Sequence, residues 1–213
     1  MQKINYYLQY AKMLAQAAEQ TSKPTLLLQA CCAPCTSGMI EELVQYYDVT
    51  LYFYNPNIDT AEEYEFRAKE LARLIGEMGL SDQVKLIVLG FESTPFDLIS
   101  LGKEHLPERG ARCALCYRLR LEQTAVYAKE HGFDLFCSTL SVSPLKSADL
   151  LNQIGSELER EYGVTWLISD FKKKDGYKRS VENSKRYDLY RQNYCGCRYS
   201  RQQAEKREHA DAE

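Results

Sequence analysis

The sequence predicts an α/β protein in which a parallel β-sheet is covered by helices on both faces. Two observations carry this. Five short β-type runs alternate with longer segments of helical periodicity between residues 25 and 170, the pattern of parallel strands joined by helical crossovers. Hydrophobic residues make up 45% and charged residues 27% of 213 positions, which are globular values sufficient for one domain of ordinary size.

The elements follow in order. Ile4 to Ala18 is an amphipathic stretch, an N-terminal helix within residues 1–24, and it has neither the apolar core nor the cleavage site of a signal peptide. Thr25–Ala30 is the first strand and runs into a cysteine-rich turn. A helix over Ser37–Tyr47 leads to a second strand, Val49–Asn55, with Asn55-Pro56-Asn57 as the turn. Ala61–Met78 is helical and Val84–Phe91 is the third strand. The helices over Ala114–Lys129 and Ser147–Tyr162 are followed by Gly132 and Gly163, where a C-terminal glycine belongs. Strands at Phe133–Leu140 and Val164–Asp170 complete the sheet. Residues 25–201 thus form a single α/β domain, 172–201 its C-terminal segment and 202–213 a polar tail. The longest apolar runs, such as Leu26–Leu28 and Val164–Ile168, are far too short to cross a membrane. The net charge of −3 argues against a histone-like or polybasic protein. The expected location is cytoplasmic.

Against that background, eight cysteines are many. Seven fall into three tight groups, Cys31-Cys32-Ala33-Pro34-Cys35, Cys113-Ala114-Leu115-Cys116 and Cys195-Gly196-Cys197. In a reducing compartment such clusters indicate metal or redox chemistry rather than structural disulfides. The eighth, Cys137, sits in the apolar run Leu135-Phe136-Cys137 and reads as a small buried hydrophobe. Four thiolates from Cys31, Cys32, Cys113 and Cys116 suit an iron–sulfur cluster. The two knuckles Cys32-x-x-Cys35 and Cys113-x-x-Cys116 equally suit zinc. A disulfide between Cys195 and Cys197 is strained and readily reduced, which fits redox work, and metal ligation fits the same spacing. The topology brings the first two groups to the carboxyl end of the sheet, where ligands bind.

Residues Lys172 to Arg201 hold ten Lys/Arg against three acids, with five interleaved tyrosines. Basic side chains hold phosphates and aromatic faces stack unpaired bases. A solvated helix face would look similar, but the segment abuts the third cysteine group, which favours a nucleic acid. The candidate RNA contacts are Lys172, Lys173, Lys174, Lys178, Arg179, Tyr187 and Arg191. The loop from Ser138 to Ser143 fits either a pocket wall or a plain connection. His105 and His131 read as surface residues. Neither a Walker-type glycine loop nor a G-x-G-x-x-G is present.

Taken together, LLLQACCAPCTSG (26–38), FYNPNI (53–58) with Arg67 after it, RCALCYRLRL (112–121), STLSVSPLKS (138–147) and YRQNYCGCRYS (190–200) resemble the epoxyqueuosine reductase QueH family. The resemblance covers almost all of the chain from residue 25 onward. It implies a HUP or PP-loop-like Rossmannoid fold, with CCAPCTSG where a phosphate-binding loop would stand. It also implies reduction of epoxyqueuosine to queuosine at the wobble position of tRNA. A [4Fe-4S] cluster is implied on Cys31, Cys32, Cys113 and Cys116, with a redox-active pair at Cys195 and Cys197. A second iron is implied beside the cluster, with Cys35 as a candidate ligand. Epoxide removal takes two electrons and two protons. A one-electron cluster therefore needs a second electron store and an external electron donor. Two rival readings remain from other classes. A tRNA sulfur-transfer enzyme should carry an SGGxDS-type ATP loop, which CCAPCTSG is not. A zinc-stabilised RNA-binding module would hold zinc in place of iron and sulfide.

Overall fold

The structure is a computed structural model that describes residues 4–211, with side chains as far as Arg207. The outermost residues of the expected N-terminal helix and polar tail, 1–3 and 212–213, lie outside the described residues.

Five parallel strands form one sheet in the order β3-β2-β1-β4-β5. They are β1 (Thr25–Gln29), β2 (Asp48–Phe53), β3 (Val84–Val88), β4 (Leu135–Ser138) and β5 (Thr165–Trp166). The register pairs Leu26 of β1 with Val49 of β2 on one side and with Leu135 of β4 on the other. Leu26, Leu27 and Leu28 are all 0% exposed. A strand covered on both faces has no solvent side, so its apolar run is continuous rather than alternating.

The helices are α1 (Tyr6–Ala18), α2 (Ala33–Ser37), α3 (Ile40–Tyr46), α4 (Ala61–Glu77), α5 (Thr94–Ser100), α6 (Ala111–Glu130), α7 (Ala148–Tyr162), α8 (Gly176–Arg186) and α9 (Arg198–Asp211). The chain steps from β1 through β2 to β3 in one direction and from β4 to β5 in the other. Right-handed crossovers therefore place α3 and α4 on one face and α6 and α7 on the other. Accordingly α6 packs on β1, β4 and α7, and α4 packs on β3. α1 packs against α3, with the Tyr10 hydroxyl donating to Glu42 at 3.1 Å.

Several boundaries differ from the sequence expectation for local reasons. The helix expected over 37–47 is two helices, broken at Gly38 and Met39. The fifth strand is only two residues long, since Thr165 and Trp166 are the residues that pair with β4. α6 begins three residues earlier than its apolar pattern, which brings Cys113 and Cys116 into its first turns. α9 runs from Arg198 through the residues expected as a polar tail.

α8 lies against α2. A Cβ on Gly38 would come within 2.6 Å of the Gly176 carbonyl oxygen, so only glycine permits this approach. The last carbonyls of a helix lack partners within it. Here α8 supplies them: Asn183 Nδ2 donates to the Ser37 carbonyl at 2.9 Å, and Arg179 Nε donates to the Gly38 carbonyl at 3.1 Å.

A thiol-lined cavity as the candidate active site

The strand order reverses direction at β1 and β4, and the crevice beyond their carboxyl ends is the expected ligand position. A cavity of about 340 Å³ opens there. All seven clustered cysteines line it: Cys31, Cys32, Cys35, Cys113, Cys116, Cys195 and Cys197. The eighth, Cys137, is 0% exposed in β4, where its thiol meets the Leu167 carbonyl at 3.2 Å. It is a core residue, as its apolar surroundings in the sequence suggest.

Cys31 and Cys32 follow directly from β1. The Cys31 N–H donates to Thr139 Oγ1 at 3.1 Å, and that hydroxyl lies 3.3 Å from Cys31 Sγ. The end of β4 therefore fixes the first cysteine. The sulfurs of Cys31, Cys32 and Cys35 all lie within 4.8 Å of one another, close enough to share a metal. Hydrogen bonds from Cys32 and Cys35, with Lys146 and Arg120 beyond, hold the Cys31 thiol well below its ordinary range. The bond to Cys31 pushes Cys32 up to about 11, and bonds to both neighbours push Cys35 well up. Hydrogen bonding within the group thus favours ionisation of Cys31 over that of its two neighbours.

Cys113 and Cys116 stand one turn apart on α6. Cys113 Sγ accepts from the Arg109 N–H at 3.2 Å. Burial raises Cys113 and pushes Cys116 up to about 12. The third group is held by the loop after β2. Asn57 Nδ2 donates to the Cys195 carbonyl at 3.4 Å, and the Asp59 N–H donates to the Gly196 carbonyl at 3.1 Å. Cys195 and Cys197 sulfurs lie 3.8 Å apart, and Ser200 Oγ is 3.1 Å from Cys195 Sγ. Hydrogen bonding from Cys197, together with the charge of Lys146, holds the Cys195 thiol well below its ordinary range.

Buried cations complete the wall. Arg67 is 2% exposed, ion-paired to Glu63 at 2.6 Å, and its guanidinium lies 5.3 Å from the Tyr194 ring centroid. Arg120 is 3% exposed. Its Nη2 donates to Asn55 Oδ1 at 2.6 Å and to Gln29 Oε1 at 3.4 Å, while its Nε is buried without a hydrogen-bond partner beside Cys116. Lys146 lines the same cavity. These three residues fall within fragments quoted above, but a lone cation carries no local signal that it will line a cavity.

The candidate RNA contacts are placed differently. Arg191 lines the cavity, as do Tyr177 and Tyr194 of the same segment. Lys172, Lys173, Lys174, Lys178, Arg179 and Tyr187 stand outside that lining. Lys172 is paired with Asp170 at 2.6 Å, Lys174 lies over the Tyr7 ring at 5.4 Å, and Lys178 faces Glu182 at 3.8 Å. Lys173 is exposed. Arg179 holds α8 to α2, and Tyr187 is partly buried against the core, with its carbonyl accepting from Arg73 at 3.0 Å.

A cavity with this many converging thiols, set at the switch point of a Rossmann-like sheet, is the site of a protein of metal or thiol chemistry. Comparison with known proteins narrows the class. The family profile described as epoxyqueuosine reductase QueH matches residues 26–203. The chain is 39% identical over 200 residues to the epoxyqueuosine reductase QueH of Staphylococcus epidermidis, covering 92% of this chain and 84% of that protein. It is 39% identical over 201 residues to that of Streptococcus pyogenes serotype M1, covering 93% and 79%. Against that of Thermotoga maritima it is 34% identical over 181 residues, covering 83% and 90%. The chain belongs to the epoxyqueuosine reductase QueH family, whose members are oxidoreductases of queuosine biosynthesis acting on tRNA. No helix among the described residues is long and apolar enough to cross a membrane.

Proposed function

We propose that the cysteine cavity is where the epoxide of epoxyqueuosine, at the wobble position of tRNA, is reduced, and that its thiols hold a [4Fe-4S] cluster. Cys31, Cys32, Cys113 and Cys116 are the proposed cluster ligands. The observation that carries this is the convergence of seven soft donors on one cavity walled by buried cations. Thiolates favour iron–sulfur centres or zinc over harder metals. A single tetrathiolate zinc would leave three cavity thiols without a role. The partnerless Nε of Arg120 and the buried charge of Arg67 suit a net-negative, thiolate-bound cluster. Bound there, the cluster supplies electrons one at a time. An external reductant completes the pair of electrons.

Cys195 and Cys197 are either the second electron store or, with Cys35, ligands of a second iron. Ser200 and Asn57 orient that pair in both versions. The basic segment 172–201 receives the anticodon arm. Arg191, Tyr177 and Tyr194 face the cavity, and the outward lysines meet phosphates. The protein works in the cytoplasm, where its substrate tRNA resides.

Anaerobically purified protein should be brown and contain iron and acid-labile sulfide. Cys113→Ala should lower both and abolish turnover. A colourless wild-type protein holding one zinc, or a Cys113→Ala protein with an unaltered cluster spectrum, would refute the ligand assignment.

A further inference from the structure

Lys146 ends the loop that follows β4, and its side chain lines the cysteine cavity. Arg67 is tied to Glu63, and Arg120 to Asn55 and Gln29. Arg112, also buried on this wall, donates to the carbonyls of Lys103, Glu104 and Leu106. By contrast, no hydrogen bond or ion pair joins the Lys146 ammonium to another described residue. It shares the cavity wall with Cys31, Cys35, Cys195 and Tyr117. Lys146 is half-buried on the cavity wall, and an ammonium with three donors and no internal partner is free to meet a bound ligand.

The chemistry of this cavity needs such a cation. Reducing an epoxide to an alkene breaks two C–O bonds and forms a C=C bond. Two electrons from the external one-electron reductant and two protons leave the oxygen as water. When the first C–O bond breaks, negative charge gathers on oxygen. In a cavity lined by thiolates that charge is repelled unless a positive donor is already in place. We propose that Lys146 is a catalytic residue of the reductase: its ammonium donates a hydrogen bond to the epoxide oxygen and stabilises the charge that develops there. The proposal rests on the cavity being the site of epoxide reduction. It assigns Lys146 to the substrate oxygen, not to the cluster and not to the tRNA backbone.

The test compares wild type with Lys146→Met and Lys146→Arg, purified anaerobically as holoproteins. Iron, sulfide, visible spectrum and melting temperature should be unchanged in both. Wild type should bind an anticodon stem-loop carrying epoxyqueuosine several-fold more tightly than one carrying queuosine, which lacks the oxygen. Lys146→Met should bind the two equally and match wild type on the queuosine form. Its kcat should fall on the order of 100-fold, the usual scale for losing one donor to a developing oxyanion. Lys146→Arg should keep the binding preference and part of the rate. Wild-type kcat and preference in Lys146→Met would overturn the proposal while leaving the cavity reading intact. Equal loss of iron in both variants would overturn it by showing a cofactor partner, and weaker binding of both stem-loops alike would do so by showing a phosphate contact. Wild-type protein without iron or sulfide would instead remove the cluster reading beneath it.

Discussion

Gly196 has φ +113°, a conformation that side-chain-bearing residues rarely adopt. A Cβ there would also stand 3.1 Å from Ile58 Cγ1 and 3.3 Å from both Arg67 Nη1 and Asn57 Nδ2. Strain and crowding therefore act together on the residue between the two sulfurs of the third group. Gly196→Ala is expected to cost about 1–3 kcal/mol in backbone strain, or roughly 2–12 °C of melting temperature in a chain of this size. Turnover should drop as the Cys195–Cys197 geometry shifts. Thermal unfolding and a turnover assay check both, and an alanine variant unchanged in each would show that the segment yields freely. The cysteines were legible from their clustering alone. The cavity cations were not legible. Arg67, Arg120 and Lys146 acquire their roles from residues far away in the chain, such as Tyr194, Asn55 and Cys195.

At the scale of elements, the sheet was readable because each strand is an apolar run between turn residues. α5 and α8, like α9, escaped that reading. α5 has seven residues and buries only Phe96 and Ser100. α8 buries Gly176, Ser180 and Ser184. Its packing on α2 is made by small residues and hydrogen bonds, so it shows no apolar stripe for periodicity to detect. This division sets two different expectations for the basic segment. Lys172, Lys173 and Lys174 changed together to alanine should weaken tRNA binding and flatten its salt dependence, by a log–log slope of about 0.7–0.9 for each phosphate no longer neutralised. The fold should remain. Arg179→Ala should lower the melting temperature first, because it unfastens α8 from the carbonyl of Gly38. A filter-binding salt titration beside a thermal melt separates the two. Unchanged slope in the triple variant would return those lysines to a solvated surface.

The whole molecule is closed by long-range contacts at one end of the sheet. Arg201 pairs with Asp59 at 2.7 Å, Arg198 pairs with Asp97, and Arg73 donates to the Tyr187 carbonyl at 3.0 Å. A ligand joined to thiols from β1, α6 and the C-terminal segment would lock these parts together, and anything bound only by the native state raises its stability. On the proposed assignment, removing the metal by chelation under oxidising conditions, followed by reduction of the thiols, is expected to lower the melting temperature by several degrees. It should also expose the segment after α8 to protease. Equal melting curves and cleavage patterns with and without metal would show that the cavity does not bridge these elements.

The loop that cradles the third cysteine group lies 138 residues before it, as the Asn57–Cys195 hydrogen bond shows. Ribosomes add roughly 5–20 residues per second, so about ten to thirty seconds separate synthesis of the first cysteines from synthesis of the last. The sheet can form during that interval while its thiols still face solvent without their cover. On the proposed cluster assignment, delivery of metal and sulfide must therefore either precede arrival of the last residues or await release of the finished chain. A message cut short before Cys195 would yield a protein with its strands in place and five reactive thiols open to oxidation, a product that cellular quality control would have to remove.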